Sequence, residues 1–363
     1  MKNTRDQIQT EALMALSSCY RAGVAITMGG GKTLIGLKHM SKLWTPNAMF
    51  LVVVPKKSIM EEWKSQAIKH DLAHLVDNMD FTTYISLDKQ DQTYKAVYLD
   101  ECHSLLYSHD EWLSGYKGMI IGLTGTPPKF KGSEKWDMVD KYCPIVYKYD
   151  TDQAVEDNIL NDYEIIVHLI HLDQRKNIKV KAKDKEWYNS EYYVYNYWTN
   201  RVDNAHSPKE KQIMRIMRMK ALMGFKSKEE YVKKILKRTE DKIIIFANTQ
   251  EQADSFNVPS YHSNNPDSEM NLENFKKGNI TELACVLQLN EGVNIPNLKE
   301  GIIMHAYGNE RKSRQRLGRL LRLNPNEKSR THVLCYDNTI DKTWVKQALD
   351  DLDQSKITYV TDW

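Results

Sequence analysis

Three consecutive glycines followed by Lys32 and Thr33 constrain this chain more than any other stretch. Gly29-Gly30-Gly31-Lys32-Thr33 stands between an apolar run at 23–26 and a helix-like run at 34–43, so it reads as a strand-to-helix turn. Residues without a Cβ let the backbone approach a ligand closely. The amide N–H groups and partial positive charge of a helix N-terminus then favour bound phosphate. In such a loop, formed here by Met28, Gly29, Gly30 and Gly31, Lys32 reaches the terminal phosphates and the Thr33 hydroxyl a divalent cation. The usual pattern opens with glycine, and Ile26 stands in that place. Taken alone, the stretch has a lesser alternative, a plain glycine-rich turn before a helix.

A chain of 363 residues exceeds what one hydrophobic core supports. Two domains are expected, 1–150 and 151–363. In the first, β-branched runs at 50–54, 95–99 and 119–123 read as buried strands of a parallel sheet, with helical connections such as 59–68. A second alternation begins near Glu164, with strand candidates at 165–170, 242–246, 283–287, 301–304 and 332–336. Between the first two of these lies a segment, about 183–238, that reads as helical. The fold class expected is therefore α/β, two tandem parallel-sheet domains with a helical segment inserted in the second. Five scattered cysteines without C-x-x-C spacing argue against a disulfide framework or zinc site and for a reducing, cytoplasmic compartment. No apolar run is long enough to span a bilayer, so no membrane partner is expected. A net charge of +3 is too small to announce nucleic-acid binding, which would have to come from local clusters.

Polar clusters follow the strands, where open α/β sheets bind ligands. Asp100-Glu101-Cys102-His103 follows the run at 95–99. A carboxylate at a buried strand end can hold Mg²⁺ through water, which suits Asp100, and Glu101 is placed to deprotonate an attacking water. By itself an Asp-Glu pair after a strand is as often a solvated pair. Thr124-Gly125-Thr126-Pro127-Pro128 offers the hydroxyls of Thr124 and Thr126 to relay nucleotide state, or is an ordinary turn. In the second half, Gln315-Arg316-Leu317-Gly318-Arg319-Leu320-Leu321-Arg322 sets Arg319 and Arg322 on one helix face. Such a pair can stabilise charge on a transferring phosphoryl group or merely coat a solvated helix.

In this order, Gly-Gly-Gly-Lys-Thr, Asp-Glu-Cys-His, Thr-Gly-Thr-Pro and Gln-Arg-Leu-Gly-Arg-Leu-Leu-Arg resemble the motifs of superfamily 2 helicases and translocases. The resemblance implies two RecA-like domains, with ATP and Mg²⁺ in the cleft between them. Lys32, Thr33 and Asp100 would come from one wall, and Gln315, Arg319 and Arg322 from the other. It assigns His103, Thr124 and Thr126 to coupling, and of two candidate glutamines, Gln7 and Gln9, it favours Gln9, with Arg5, for the adenine. Gly292 and Asn294, in a stretch resembling motif V, fall on the nucleotide side. Pro55, Lys56, Ser58, Thr83 and Asn248 would contact nucleic acid. Two departures stand out: Asn294 replaces a customary Asp, and Arg5 sits one residue further from Gln9 than usual. The phrases Glu-Gly-Val-Asn-Ile-Pro and Gly-Arg-Leu-Leu-Arg look most like the DNA-directed branch. That branch includes restriction-enzyme motor subunits, excision-repair-type helicases and phage recombination helicases. The implied activity is an ATP-dependent helicase or translocase on single-stranded, duplex or branched DNA in replication, recombination or repair, with protein partners supplying specificity. A Snf2-like duplex translocase, an RNA helicase and a non-helicase phosphate-loop ATPase stay open.

The stretch at 187–198 is dense in aromatics. Tyr188, Tyr192 and Tyr195 fall on one helical stripe, and such stripes usually pack in a core, the alternative being stacking on bases. Residues 209–238 carry eleven basic against three acidic side chains, which makes this the clearest local basic cluster. On a helical wheel Ile213, Ile216, Met217 and Met223 share one side and Lys211, Arg215 and Arg218 the opposite one. The basic side is expected to touch a phosphate backbone, against the ordinary alternative of a solvated face.

Overall fold

The computed structural model describes residues 3–27, 29–182, 185–286, 295–306, 328–350 and 352–361. The chain divides into two compact units between Asp162 and Tyr163. The boundary expected at residue 150 lies within the first unit, where the Asp150 side chain caps a short helix by accepting from the Gln153 N–H.

In the first unit six strands form one parallel sheet: β1 (Arg21–Ile26), β2 (Phe50–Val54), β3 (Met79–Thr83), β4 (Ala96–Asp100), β5 (Met119–Thr124) and β6 (Ile145–Tyr149). Their spatial order is β3-β2-β4-β5-β1-β6. The central strands are buried on both faces, which explains their continuous apolar runs. Helices α1 (Arg5–Ser17), α2 (Lys32–Leu43), α3 (Ser58–Lys69), α4 (Asp110–Gly115), α5 (Glu134–Tyr142) and α6 (Thr151–Glu156) accompany the sheet. On one side Leu51, Val53, Val97, Leu99 and Ile120 pack with Trp112, Tyr116 and Tyr142. Under β5 the space is filled by two thiols. A Cβ on Gly122 would lie 2.7 Å from Cys143 Sγ and 3.1 Å from Cys102 Sγ. A hydrogen bond with Cys143, and then burial, push the Cys102 thiol well above its ordinary range.

Among the described residues, the second unit holds a seven-stranded parallel sheet in the order β11-β12-β10-β13-β14-β7-β15. Its strands are β7 (Tyr163–Ile170), β10 (Ile243–Ala247), β11 (Ser260–Tyr261), β12 (Glu282–Val286), β13 (Glu300–Ile303), β14 (Ser329–Tyr336) and β15 (Ile357–Val360). Between β7 and β10 the chain makes an antiparallel hairpin, β8 (Ile178–Ala182) with β9 (Lys185–Asn189). Three helices follow: α7 (Glu191–Asp203), α8 (Pro208–Gly224) and α9 (Ser227–Leu236).

The hairpin corrects the expectation of helix from 183 onward. Ile178 and Val180 alternate with polar residues, and Trp187-Tyr188 suits a paired strand. Helix begins only after Ser190, whose hydroxyl accepts from the Tyr193 N–H. Tyr188 is therefore on a strand. Of the three tyrosines expected to pack, Tyr195 is buried, while Tyr188 and Tyr192 are 56% and 53% exposed. The wheel of α8 also turns differently. The Arg218 guanidinium lies over the Tyr195 ring at 6.0 Å, and Ile213 and Ile216 are exposed. Apolar side chains ring this helix, so periodicity did not single out the face that meets α7.

Each unit buries a neutral histidine. His39 on α2 has Nδ1 2.9 Å from the Tyr98 hydroxyl, and burial, then Lys42, push it down to about 4. His168 on β7 has Nε2 2.8 Å from His332 Nδ1 on β14, and burial, then His332, push it down to about 3. The unfolded chain takes up these protons near pH 6.5. The stability that neutral burial contributes is thus complete above about 6.5 and is lost as pH falls toward the folded values. By pH 5 each histidine should cost about 2 kcal/mol. Calorimetric melts should show the transition falling from pH 7 to pH 5; a level or rising transition would contradict this.

Candidate nucleotide site

The first unit's candidate residues gather at the C-terminal ends of its strands, the edge at which open α/β sheets bind ligands. After β1 the glycine loop turns directly into α2, whose N-cap is Gly31 at φ 87°, with no side chain capping the first turn. Its amide N–H groups are left for a ligand. Ile26, the departure from the usual pattern, is fully buried beneath the loop. A Cβ on Gly30 would come 2.4 Å from its Cγ2, so glycine is required there for packing as well. Thr33 is half-buried in the first turn of α2.

Gln9 is buried beside this loop. Its Oε1 accepts from Lys38 Nζ at 2.8 Å, and its Nε2 lies 2.6 Å from where a Gly31 Cβ would be. The neighbouring Gln7 is occupied with capping α1 through Thr4. Arg5 is exposed and donates to the Ile159 carbonyl at 3.5 Å.

Lys32 Nζ stands 3.5 Å from Glu101 Oε1, both side chains 13% exposed. Glu101 adopts φ 53°, a left-handed backbone unusual for this residue type. Its other oxygen lies 3.2 Å from His103 Nδ1 and accepts from the Thr124 hydroxyl at 3.4 Å. His103 Nδ1 is also 2.6 Å from Thr124 Oγ1 and 3.3 Å from Thr126 Oγ1. Phosphate-loop lysine, carboxylate, histidine and two threonines thus form one connected set. Asp100, at the end of β4, is held from the other side. Trp63 Nε1 donates to its Oδ2 at 2.9 Å, and the Tyr84 hydroxyl donates to its main-chain carbonyl at 2.8 Å. Burial holds the Tyr84 phenol well above its ordinary range, so it stays a donor. Neither Trp63 nor Tyr84 was singled out from the sequence as a partner of Asp100.

Pro55 and Lys56 directly follow β2, Ser58 opens α3 and Thr83 ends β3. All four share the edge that carries Asp100, since β3, β2 and β4 are neighbours. Asn248 follows β10 in the second unit, is buried, and has neither amide atom hydrogen-bonded among the described residues. On α8, Lys211 and Arg215 are exposed and Arg218 is half-buried against Tyr195. Met28, Gly292, Asn294, Gln315, Arg319 and Arg322 lie outside the described residues.

Two family models match the chain. Residues 2–96 match the type III restriction enzyme res subunit, and residues 227–324 the helicase conserved C-terminal domain. The chain is 25% identical over 349 residues to the DNA 3'-5' translocase XPB2 of Sulfurisphaera tokodaii, covering 86% of this chain and 77% of that one. It superposes on the Hef helicase domain of Pyrococcus furiosus with a TM-score of 0.53 at 14% identity, covering 95% and 99% of the two chains. With the type ISP restriction-modification enzyme LlaBIII, bound to DNA, the TM-score is 0.62 at 14% identity. All of this chain is then covered but 31% of that much longer enzyme. Two RecA-like parallel sheets, the connected set around Lys32 and Glu101, and these matches identify the chain as a superfamily 2 helicase or translocase, a motor that hydrolyses ATP.

Proposed function

We propose that the first unit binds ATP with Mg²⁺ and that the chain couples hydrolysis to movement along DNA. The observation that carries this reading is the connection from Lys32 through Glu101 to His103, Thr124 and Thr126. Lys32 meets phosphate charge, and Glu101 takes the proton of the attacking water. When phosphate draws Lys32 away, Glu101 keeps its bonds to the threonine and histidine, so the change passes to the Thr124–Thr126 turn. Gln9, with Oε1 fixed by Lys38, suits an adenine edge. Thr33 and Asp100 supply hard oxygen donors. No cluster of three His, Cys, Asp or Glu able to hold a metal occurs among the described residues. Such oxygen donors suit Mg²⁺, which keeps several waters and completes its shell from substrate phosphates. When bound, the cation offsets phosphate charge.

DNA as the track is supported by the XPB2 relative, a DNA 3'-5' translocase, and the phosphate contacts would be Pro55, Lys56, Ser58 and Thr83. Asn248 adds a buried amide with two polar atoms to offer. On the inserted helices, Tyr193 and Tyr197 lie one turn apart and about half exposed, which favours a surface that stacks on bases. Lys211 and Arg215, exposed on the neighbouring helix α8, suit phosphate. Five cysteines free of disulfides agree with a cytoplasmic setting.

The reading is tested by ATPase assays with single-stranded, duplex, forked and branched DNA, and with RNA. Stimulation by DNA is expected, and turnover indifferent to every nucleic acid would overturn it. For α8, K211E/R215E should weaken binding to all DNA sequences alike. It should also reduce the slope of log affinity against log salt by up to about 2 for duplex. Unchanged affinity and slope in the folded variant would return this face to solvent.

A further inference from the structure

We infer that Trp63 is a positioning residue for the metal-binding carboxylate Asp100, linking the segment after β2 to the nucleotide site; this rests on the Mg²⁺ reading given above. The Trp63 side chain is fully buried, and its only polar atom donates to Asp100 Oδ2 at 2.9 Å. A hydrogen bond to an ionised carboxylate is about twice as strong as a neutral one and fixes the plane of the acceptor. It holds one of the two carboxylate oxygens in a fixed direction at the end of β4.

The indole cannot turn away. A Cβ on Gly36 would lie 2.6 Å from its Cη2, and the Tyr98 ring stands 6.3 Å from the indole centroid. Gly36 is one turn beyond Lys32 on α2, and Tyr98 is two residues before Asp100 on β4. One side chain therefore touches both the helix that carries the phosphate lysine and the strand that carries the metal carboxylate. Trp63 itself belongs to α3, which opens at Ser58 directly after Pro55 and Lys56. A ligand that shifts α3 must either carry Asp100 with it or stretch the indole bond. Tyr84, next to Thr83, holds the Asp100 main chain, whereas Trp63 bonds its carboxylate. Any coupling is reciprocal: metal at Asp100 alters affinity at the segment after β2 by the factor by which occupancy there alters metal affinity.

The test uses the full chain and ADP, measured calorimetrically with Mn²⁺ and again in EDTA. Trp63→Phe keeps an aromatic ring but removes the N–H. Introducing 3-benzothienylalanine at position 63 removes the N–H while preserving the indole's shape, and serves if the phenylalanine variant folds poorly. In the wild type, metal should tighten ADP binding. In either variant that gain should shrink about 10-fold, as for other groups that orient a metal ligand, with the EDTA affinity unchanged. A role in packing alone would lower the melting temperature and leave the gain intact, or weaken both affinities equally; either result overturns the inference. Absence of a metal gain in the wild type would instead overturn the Mg²⁺ reading itself, and the role of Trp63 with it.

Discussion

Lys32→Ala is expected to abolish ATP turnover, by about 10²–10³-fold or more. The loop offers backbone N–H groups, which carry only partial charge, and Lys32 is the one full cation at its end. Its removal also takes the cation at 3.5 Å from Glu101, so a bound terminal phosphate would face a carboxylate that has lost its lysine. Both losses act against the same charge. Steady-state phosphate release by the folded variant, at saturating DNA, is the measurement. Turnover near the wild-type rate would remove the central assignment.

Glu101→Gln should separate binding from chemistry. The amide keeps the size of the carboxylate and can still accept from the Thr124 hydroxyl, but it cannot take a proton from water. A general base is worth about 10²–10⁴ in rate. Removing its negative charge takes away repulsion toward the terminal phosphate, so ATP affinity should hold or improve. Single-turnover hydrolysis, paired with equilibrium binding of ATP, reads the two effects separately. If affinity fell as steeply as turnover, Glu101 would be a structural member of the set around His103.

The central strands and the residues at their ends were legible because burial on both faces writes itself as continuous apolar runs. Asp100, Glu101 and Thr124 directly end or follow such runs, which located them. β6 was missed because its residues are alternately half-buried and exposed at the sheet edge. β3 was overlooked as a strand because its second residue, Asp80, is charged and exposed and breaks the apolar run. The hairpin at β8 and β9 was hidden inside an aromatic and basic stretch that also fits helical spacing. In the site, chain order gave Lys32, Glu101, His103 and the two threonines, whose spacing carries their chemistry. It did not give Trp63 as a partner of Asp100 or Lys38 as the partner of Gln9. Those pairings join residues 37 and 29 positions apart and exist only once the strands lie side by side.

The two thiols under Gly122 bear on how this chain can vary through descent. Cys102 is the third residue of Asp-Glu-Cys-His, and Cys143 and the strand at Gly122 set an upper limit on its size. A larger residue at 102 would press on the strand that ends in Thr124 and so on the hydroxyl beside Glu101. The same volume is vacated if position 143 becomes smaller. Related chains that keep this nucleotide site should therefore exchange residues 102 and 143 together, large against small, while position 122 stays glycine.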